Sequence, residues 1–186
     1  MTREEALKLI QQYVKNGNSI KHMLATEAIM RALAKHFAEG EEEVWGLAGL
    51  LHDLDMEIVD YRKNPEKQGV VGAEMLEKMG VSKVITEAIK AHNEATGKIR
   101  ETRIEKAIFC TDPLTGLIVA ATLVLPSKKL ADLSVENVLN RFKEKSFAKG
   151  ANRGIILSCA EIGLSLEEFV KIGLEAMQKI AGDLGL

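Results

Sequence analysis

Gly46-Leu47-Ala48-Gly49-Leu50-Leu51-His52-Asp53-Leu54-Asp55 is a run of small residues and leucines that ends abruptly in a histidine and two aspartates. Gly40 stops the helical pattern before it. Glu41, Glu42 and Glu43 open the next one, and their carboxylates complement the positive end of a helix dipole. Val44, Leu47, Ala48 and Leu51 then share one face. A helix this apolar belongs in a core, yet its last turn delivers His52 and Asp53 side by side. A carboxylate beside an imidazole at the end of a buried helix is costly unless something positive pairs with it. A divalent metal meets that need, because imidazole nitrogen and carboxylate oxygen both ligate first-row metals. Taken alone, the doublet reads equally as a metal-binding pair or as a capping histidine beside a surface aspartate.

Upstream of this stretch, helical spacing covers residues 3–15, with Ala6, Leu7, Ile10 and Val14 inward. Asn16-Gly17-Asn18-Ser19 reads as a stop and restart, with Gly17 a left-handed cap and Asn18 or Ser19 an N-cap. The next helix is expected to run to about residue 39. It carries His22 in its first turns and His36 near its end, on roughly the same face. They lie about 21 Å apart along the axis, so only one of them can join His52 at a metal.

Downstream, residues 56–65 are polar and turn-rich. A helix follows from Val70 to the stop at Gly80, and another spans residues 82–92, ending at His92. Residues 93–102 read as a loop. The apolar stretch 104–125 holds Asp112-Pro113, and a carboxylate within such a segment needs cations or several donors. Pro113 bends the helix near that carboxylate and helps present it. The alternative is a plain Asp-Pro helix break. Ser134 caps a short helix through Phe142, and two amphipathic helices at 151–162 and 165–182 close the chain, the last with a Ser165/Glu168 capping box. Lys128, Lys145 and Arg153 fall in a basic region that reads either as a solvated face or as a clamp on a substrate phosphate.

The whole chain sets bounds on function. Its 186 residues suit one domain, residues 1–186, and 46% hydrophobic content can fill a sizeable core. A net charge of −2 and 4% aromatic residues give no footprint for a nucleic acid polymer or an anionic membrane. Cys110 and Cys159 form no C-x-x-C pair, which suggests a reducing compartment with buried thiols. The start, Met1-Thr2-Arg3-Glu4-Glu5, lacks the basic-then-apolar order of a signal peptide. The segment 104–125 is broken by Glu105, Lys106, Asp112 and Pro113 and reads as core, not as a membrane span. A cytoplasmic protein is expected, a homodimer is compatible with all of this, and the fold class is all-α.

His22, the His52-Asp53 doublet and Asp112 lie on three separate helices in the order H…HD…D. With the small-residue helix before the doublet, this order resembles the HD-domain metal-dependent phosphohydrolases, over roughly residues 19–125. His52-Asp53-Leu54-Asp55-Met56-Glu57 further resembles small bacterial and archaeal HD proteins described mainly as predicted hydrolases. The resemblance implies a compact multi-helix bundle, with residues 126–186 adding C-terminal helices that complete it. It implies metal ligation by His22, His52, Asp53 and Asp112, and leaves His36 outside the pattern. Asp55 stands where many relatives have Gly in His-Asp-x-Gly, and the paired histidines of two-metal members reduce to His92-Asn93. One divalent ion (Mn, Fe, Co, Ni, Zn or Mg) is therefore the expectation. His92 is left to line the pocket as a proton donor or phosphate contact, or to be an ordinary helix-end histidine.

Metal chemistry then suggests the reaction: hydrolysis of a phosphomonoester or phosphodiester in a nucleotide or other small phosphorylated metabolite by a metal-activated water. Asp53 could ligate and also orient the water, and Asp55 or Glu57 could hold His22 or His52 from behind. The competing expectation is a sensor or scaffold that binds metal or nucleotide without turnover.

Overall fold

A computed structural model describes residues 1–37 and 40–186, and among these it contains ten α-helices and no strand. α1 (Arg3–Tyr13) starts on a capping box in which the Thr2 hydroxyl accepts from the Glu5 N–H. α2 (Gly17–Phe37) carries His22; the expected extension to residue 39 falls outside the described residues. Gly17 is not the left-handed cap expected at this boundary. It is the first residue of α2, and the Asn16 carboxamide accepts from the Asn18 N–H instead.

α3 (Glu42–Leu51) is buried from Trp45 to Leu51 and lies along α2. Its glycines explain how closely the two helices approach. A Cβ on Gly49 would come within 2.9 Å of the Thr26 and Glu27 backbone, and one on Gly46 would strike the Arg31 side chain. The contact is also tied electrostatically. The Glu27 carboxylate, 3% exposed, accepts from both Arg3 and Arg31, and Arg31 reaches on to Glu43 at the start of α3. A buried carboxylate with two guanidiniums has its charge and lone pairs answered.

Turns over residues 52–68 lead to α4 (Val70–Lys78), and α5 (Lys83–Ala91) ends at His92. α6 (Arg103–Leu123) continues through Pro113 and is the central element, packed against α2, α5, α7 (Val135–Lys143), α8 (Arg153–Leu157) and α9 (Leu166–Lys179). It alone among the described helices is long and apolar enough to cross a membrane by length and composition, and 61% of its most apolar window is buried inside the protein. Ile29 and Met30 of α2, Leu50 and Leu51 of α3, Ile89 of α5, Ile108 and Leu114 of α6 and Phe169 of α9 form the centre of the core.

The C-terminal region departs from the expected pair of helices. Residues 151–162 split into the single-turn α8 and a 3-10 segment, Ser158–Ile162, which ends at left-handed Gly163. α9 gives way at Ile180 to a last turn, α10 (Ala181–Leu184), packed on α2.

Candidate metal centre

The approach of α3 to α2 sets two imidazoles edge to face. His22 Nε2 and His52 Nε2 are 3.0 Å apart, with ring centroids at 4.9 Å. His92, at the end of α5, stacks edge-on against the other side of His52, again at 4.9 Å. His52 and His92 are buried and His22 is partly so. Two carboxylates complete the cluster. Asp112 Oδ1 lies 2.9 Å from His22 Nε2 and 3.9 Å from His52 Nε2. Asp53 Oδ2 lies 3.4 Å from His52 Nε2 and 3.6 Å from His22 Nε2, while its Oδ1 lies 3.5 Å from His92 Nε2.

The backs of the rings decide what the fronts can do. His52 Nδ1 faces the Gly49 carbonyl at 2.8 Å and His92 Nδ1 faces the Ile89 carbonyl at 2.6 Å. Carbonyls only accept, so in both rings Nδ1 carries the proton. Each bond closes three residues back, onto a carbonyl in the last turn of the helix that precedes the histidine. His22 Nδ1 faces Thr115 Oγ1 at 2.8 Å, and the Thr115 hydroxyl itself donates to the Asp112 carbonyl. Thr115 thus accepts from His22, and with Nδ1 committed in this way each of the three rings turns its Nε2 toward the Asp53 and Asp112 carboxylates. This is the arrangement in which outer hydrogen bonds fix a metal-binding tautomer.

Two imidazole lone pairs 3.0 Å apart repel, as do two carboxylates beside them, unless positive charge sits between. The titration behaviour agrees. Burial works to lower the pKa of His22, but the hydrogen bond and charge of Asp112, with the charge of Asp53, outweigh it and raise the value. For His52 burial is likewise overcome, chiefly by Asp53. Burial pushes Asp53 and Asp112 up, and the facing imidazoles pull both below the usual carboxylate range, Asp53 strongly. Without a metal the cluster gathers protons. A divalent ion fits the same donors better, since imidazole nitrogens and two carboxylates offer it N and O ligands and offset its charge. His22, His52 and Asp112 form one set able to hold an ion, and His52, Asp53 and His92 another, with the donor atoms of each set all within 4.8 Å of one another.

Of the expected site residues, the structure brings together His22, His52, Asp53, His92 and Asp112. His36 is exposed and packs edge-on against Phe37. Asp55 and Glu57 do not hold an imidazole, contrary to expectation. The Asp55 carboxylate is buried and accepts from the Gly69 and Gly72 N–H groups at the start of α4; its burial raises its pKa despite those donors. Glu57 is on the surface, joining the Lys15 and Asn16 N–H groups between α1 and α2.

The basic residues also have other positions. Arg153 donates to the carbonyls of Arg141, Phe142, Phe147, Ala148 and Ala151, so its guanidinium holds the chain between α7 and α8 and has no donor left for a substrate phosphate. Lys128 and Lys145 are exposed and line neither of the cavities at the cluster.

Sequence reasoning missed three supports. Gln68 donates to Asp53 Oδ1 at 2.8 Å. Asn93 donates to the carbonyls of Pro65 and Gln68 and so fixes the turn that presents Gln68. Thr115 orients His22. The signal for Thr115 was its position one turn after Asp112 on the same helix; Gln68 and Asn93 left none.

The cluster opens to solvent through a cavity of about 250 Å³, lined in part by His22, Asp112, Thr115, Gly150 and Asn152.

Comparison with known proteins agrees with this centre. The chain is 32% identical over 111 residues, 58% of its length, to ribonuclease Y of Lawsonia intracellularis (strain PHE/MN1-00), and it spans about a fifth (21%) of that relative. No solved structure matches it. The HD domain family model matches residues 19–113, which hold all five clustered side chains and end one residue past Asp112, and the chain belongs to the HD domain family.

Proposed function

We propose that this member of the metal-dependent phosphohydrolase superfamily cleaves a phosphomonoester or phosphodiester bond in a small phosphorylated metabolite, nucleotides included, and acts as one helical domain in the cytoplasm. The observation that carries the proposal is the clustering of three Nε2 atoms with two carboxylates, each imidazole locked from behind. That expenditure of buried polar groups suits an ion with open positions, not a packing role. The relative named for ribonuclease activity is consistent with phosphoric ester cleavage, though it shares only part of its length with this chain.

His22, His52, Asp53 and Asp112 would hold the ion, which would supply charge for the phosphoryl oxygens and acidify a water. The remaining work falls to the protein. Asp53, fixed by Gln68, orients the attacking water with the oxygen that faces His92. His92 Nε2, which faces the same Asp53 oxygen, accepts the proton that the water loses, and the departing oxygen takes its proton from solvent in the cavity over Asp112 as the phosphorus–oxygen bond breaks. Thr115 and the Gly49 and Ile89 carbonyls keep the rings from turning away during this exchange. The cavity of about 250 Å³ over Asp112 admits the phosphoryl group.

The test is turnover of mono- and diesters, nucleotides among them, with Mn, Co or Mg added in turn. Release of phosphate or alcohol that disappears in Asp53→Ala supports the reading. Tight nucleotide binding without turnover under every metal replaces it with a sensor.

A further inference from the structure

A second cavity, about 440 Å³, meets the first along His22, Thr115 and Gly116. It lies between the start of α2, the second half of α6 and the turn at α10. Ala25, Val119, Leu123, Leu184 and Leu186 supply its aliphatic walls, while Asn18 and Lys21 are the polar groups on the α2 side. No aromatic ring other than the edge of His22 lines it. Lys21 is the one ammonium or guanidinium in the lining of either cavity, and no ion pair engages it among the described residues.

Gly116 marks the junction. It sits in the middle of α6, exposed, where glycine costs a helix about 1 kcal/mol relative to alanine. Packing does not call for it: a Cβ there would meet nothing within 4 Å, and its φ is not in the left-handed region. What glycine does at this position is keep the ridge between the two cavities low.

The geometry points to a substrate that spans both cavities over Gly116: a phosphate ester whose alcohol is aliphatic, with the phosphoryl group at the cluster and the carbon chain in the larger cavity. This rests on the phosphohydrolase reading and narrows it. A nucleobase carries several donors and acceptors on its edge, and in a wall of Ala, Val and Leu most of them would be buried without partners. An alkyl chain loses nothing there. Lys21 adds the positive charge that an anionic ester seeks as it enters.

The experiment measures binding, so that it does not depend on turnover. Protein loaded with Mn²⁺ is titrated calorimetrically with inorganic phosphate, then with n-alkylphosphonates from methyl to octyl, and with adenosine 5′-monophosphate. Affinity is expected to rise with chain length by up to about fourfold per methylene, the ceiling set by the transfer free energy of a CH₂ group, until the cavity is full. Gly116→Leu and the surface variant Leu123→Asp are each expected to flatten that slope, and Gly116→Ala, which fits the open space, keeps it. Equal affinity from methyl to octyl, or adenosine 5′-monophosphate bound more tightly than octylphosphonate, overturns the aliphatic assignment alone. If inorganic phosphate and every phosphonate fail to bind, the phosphohydrolase reading itself falls.

Discussion

His22 Nε2 and His52 Nε2 stand 3.0 Å apart with both protons directed away, on Thr115 and Gly49. An ion between them removes the repulsion and gains His22, His52, Asp53 and Asp112 as ligands at once. Purified protein is expected to carry about one transition metal per chain, and Asp53→Ala and Asp112→Ala to lose it. Elemental analysis of the three proteins after loading decides this. Equal, near-zero metal in all three would return these residues to structural roles.

The pH dependence should change sign with the metal. In the metal-free protein His22 and His52 have pKa values raised above 6.5, so their contribution is complete below 6.5 and is lost as pH rises through the raised values. Asp53 and Asp112 are lowered from 3.8, so theirs is present above 3.8 and is lost as pH falls through the lowered values. Metal-free protein is then most stable between those limits. Metal competes with protons for the same lone pairs, so its stabilisation grows with pH. Melting temperatures with and without metal, taken from about pH 5 to about pH 8, should diverge as pH rises. Parallel curves would refute the coupling.

Gly49→Ala tests the helix approach. The new methyl would press on the α2 backbone at Thr26 and Glu27, with no flexible side chain to yield. The cost is expected to be about 1–3 kcal/mol, typical of an overfilled core. Metal content should fall with it, because moving α3 off α2 separates His52 from His22. Urea denaturation and elemental analysis on one preparation measure both.

Asp55→Ala removes the acceptor for the Gly69 and Gly72 N–H groups and should cost about 1–3 kcal/mol, the range for buried donors left unpaired. Gly69 lies against the His92 ring, so the loss also loosens that ring's seat. Chemical denaturation reads the first effect. The pH profile of turnover reads the second.

Arg153→Lys should behave as a structural change. One ammonium cannot reach the spread of carbonyls that the guanidinium fork binds. Proteolysis within residues 141–152 is expected to speed up severalfold while metal content stays at the wild-type level. A selective rise in KM with unchanged proteolysis would instead restore a phosphate-binding role.

How much of this was legible in the sequence follows from the kind of signal each residue leaves. The all-α class and the burial of α3 are periodicity and composition, and both are local. The spacing of His22, His52-Asp53 and Asp112 along three helices is a pattern of side-chain types, so it could be seen before any geometry. The partners of Asp55, Glu57 and Arg153 are backbone groups, which every residue carries, and no side-chain pattern announces them. Gly17 misled for a related reason: glycine permits a left-handed cap but does not demand one, and here α1 ends on extended Val14 while Asn16 caps the start of α2. The split at Ser158 and the break at Ile180 are decided by packing on α6 and α2, outside the reach of helical spacing.

The five clustered side chains come from α2, α3, α5 and α6, between residue 22 and residue 112. An ion held by His22, His52, Asp53 and Asp112 is a cross-link closing most of the first two-thirds of the chain into one loop. Closure entropy on that scale is withheld from the unfolded ensemble as long as the ion stays bound. Loss of the ion therefore removes a constraint that holds α2 against α6. A chelator that reaches the ion through the cavity over Asp112 would then weaken the whole bundle without touching its apolar core.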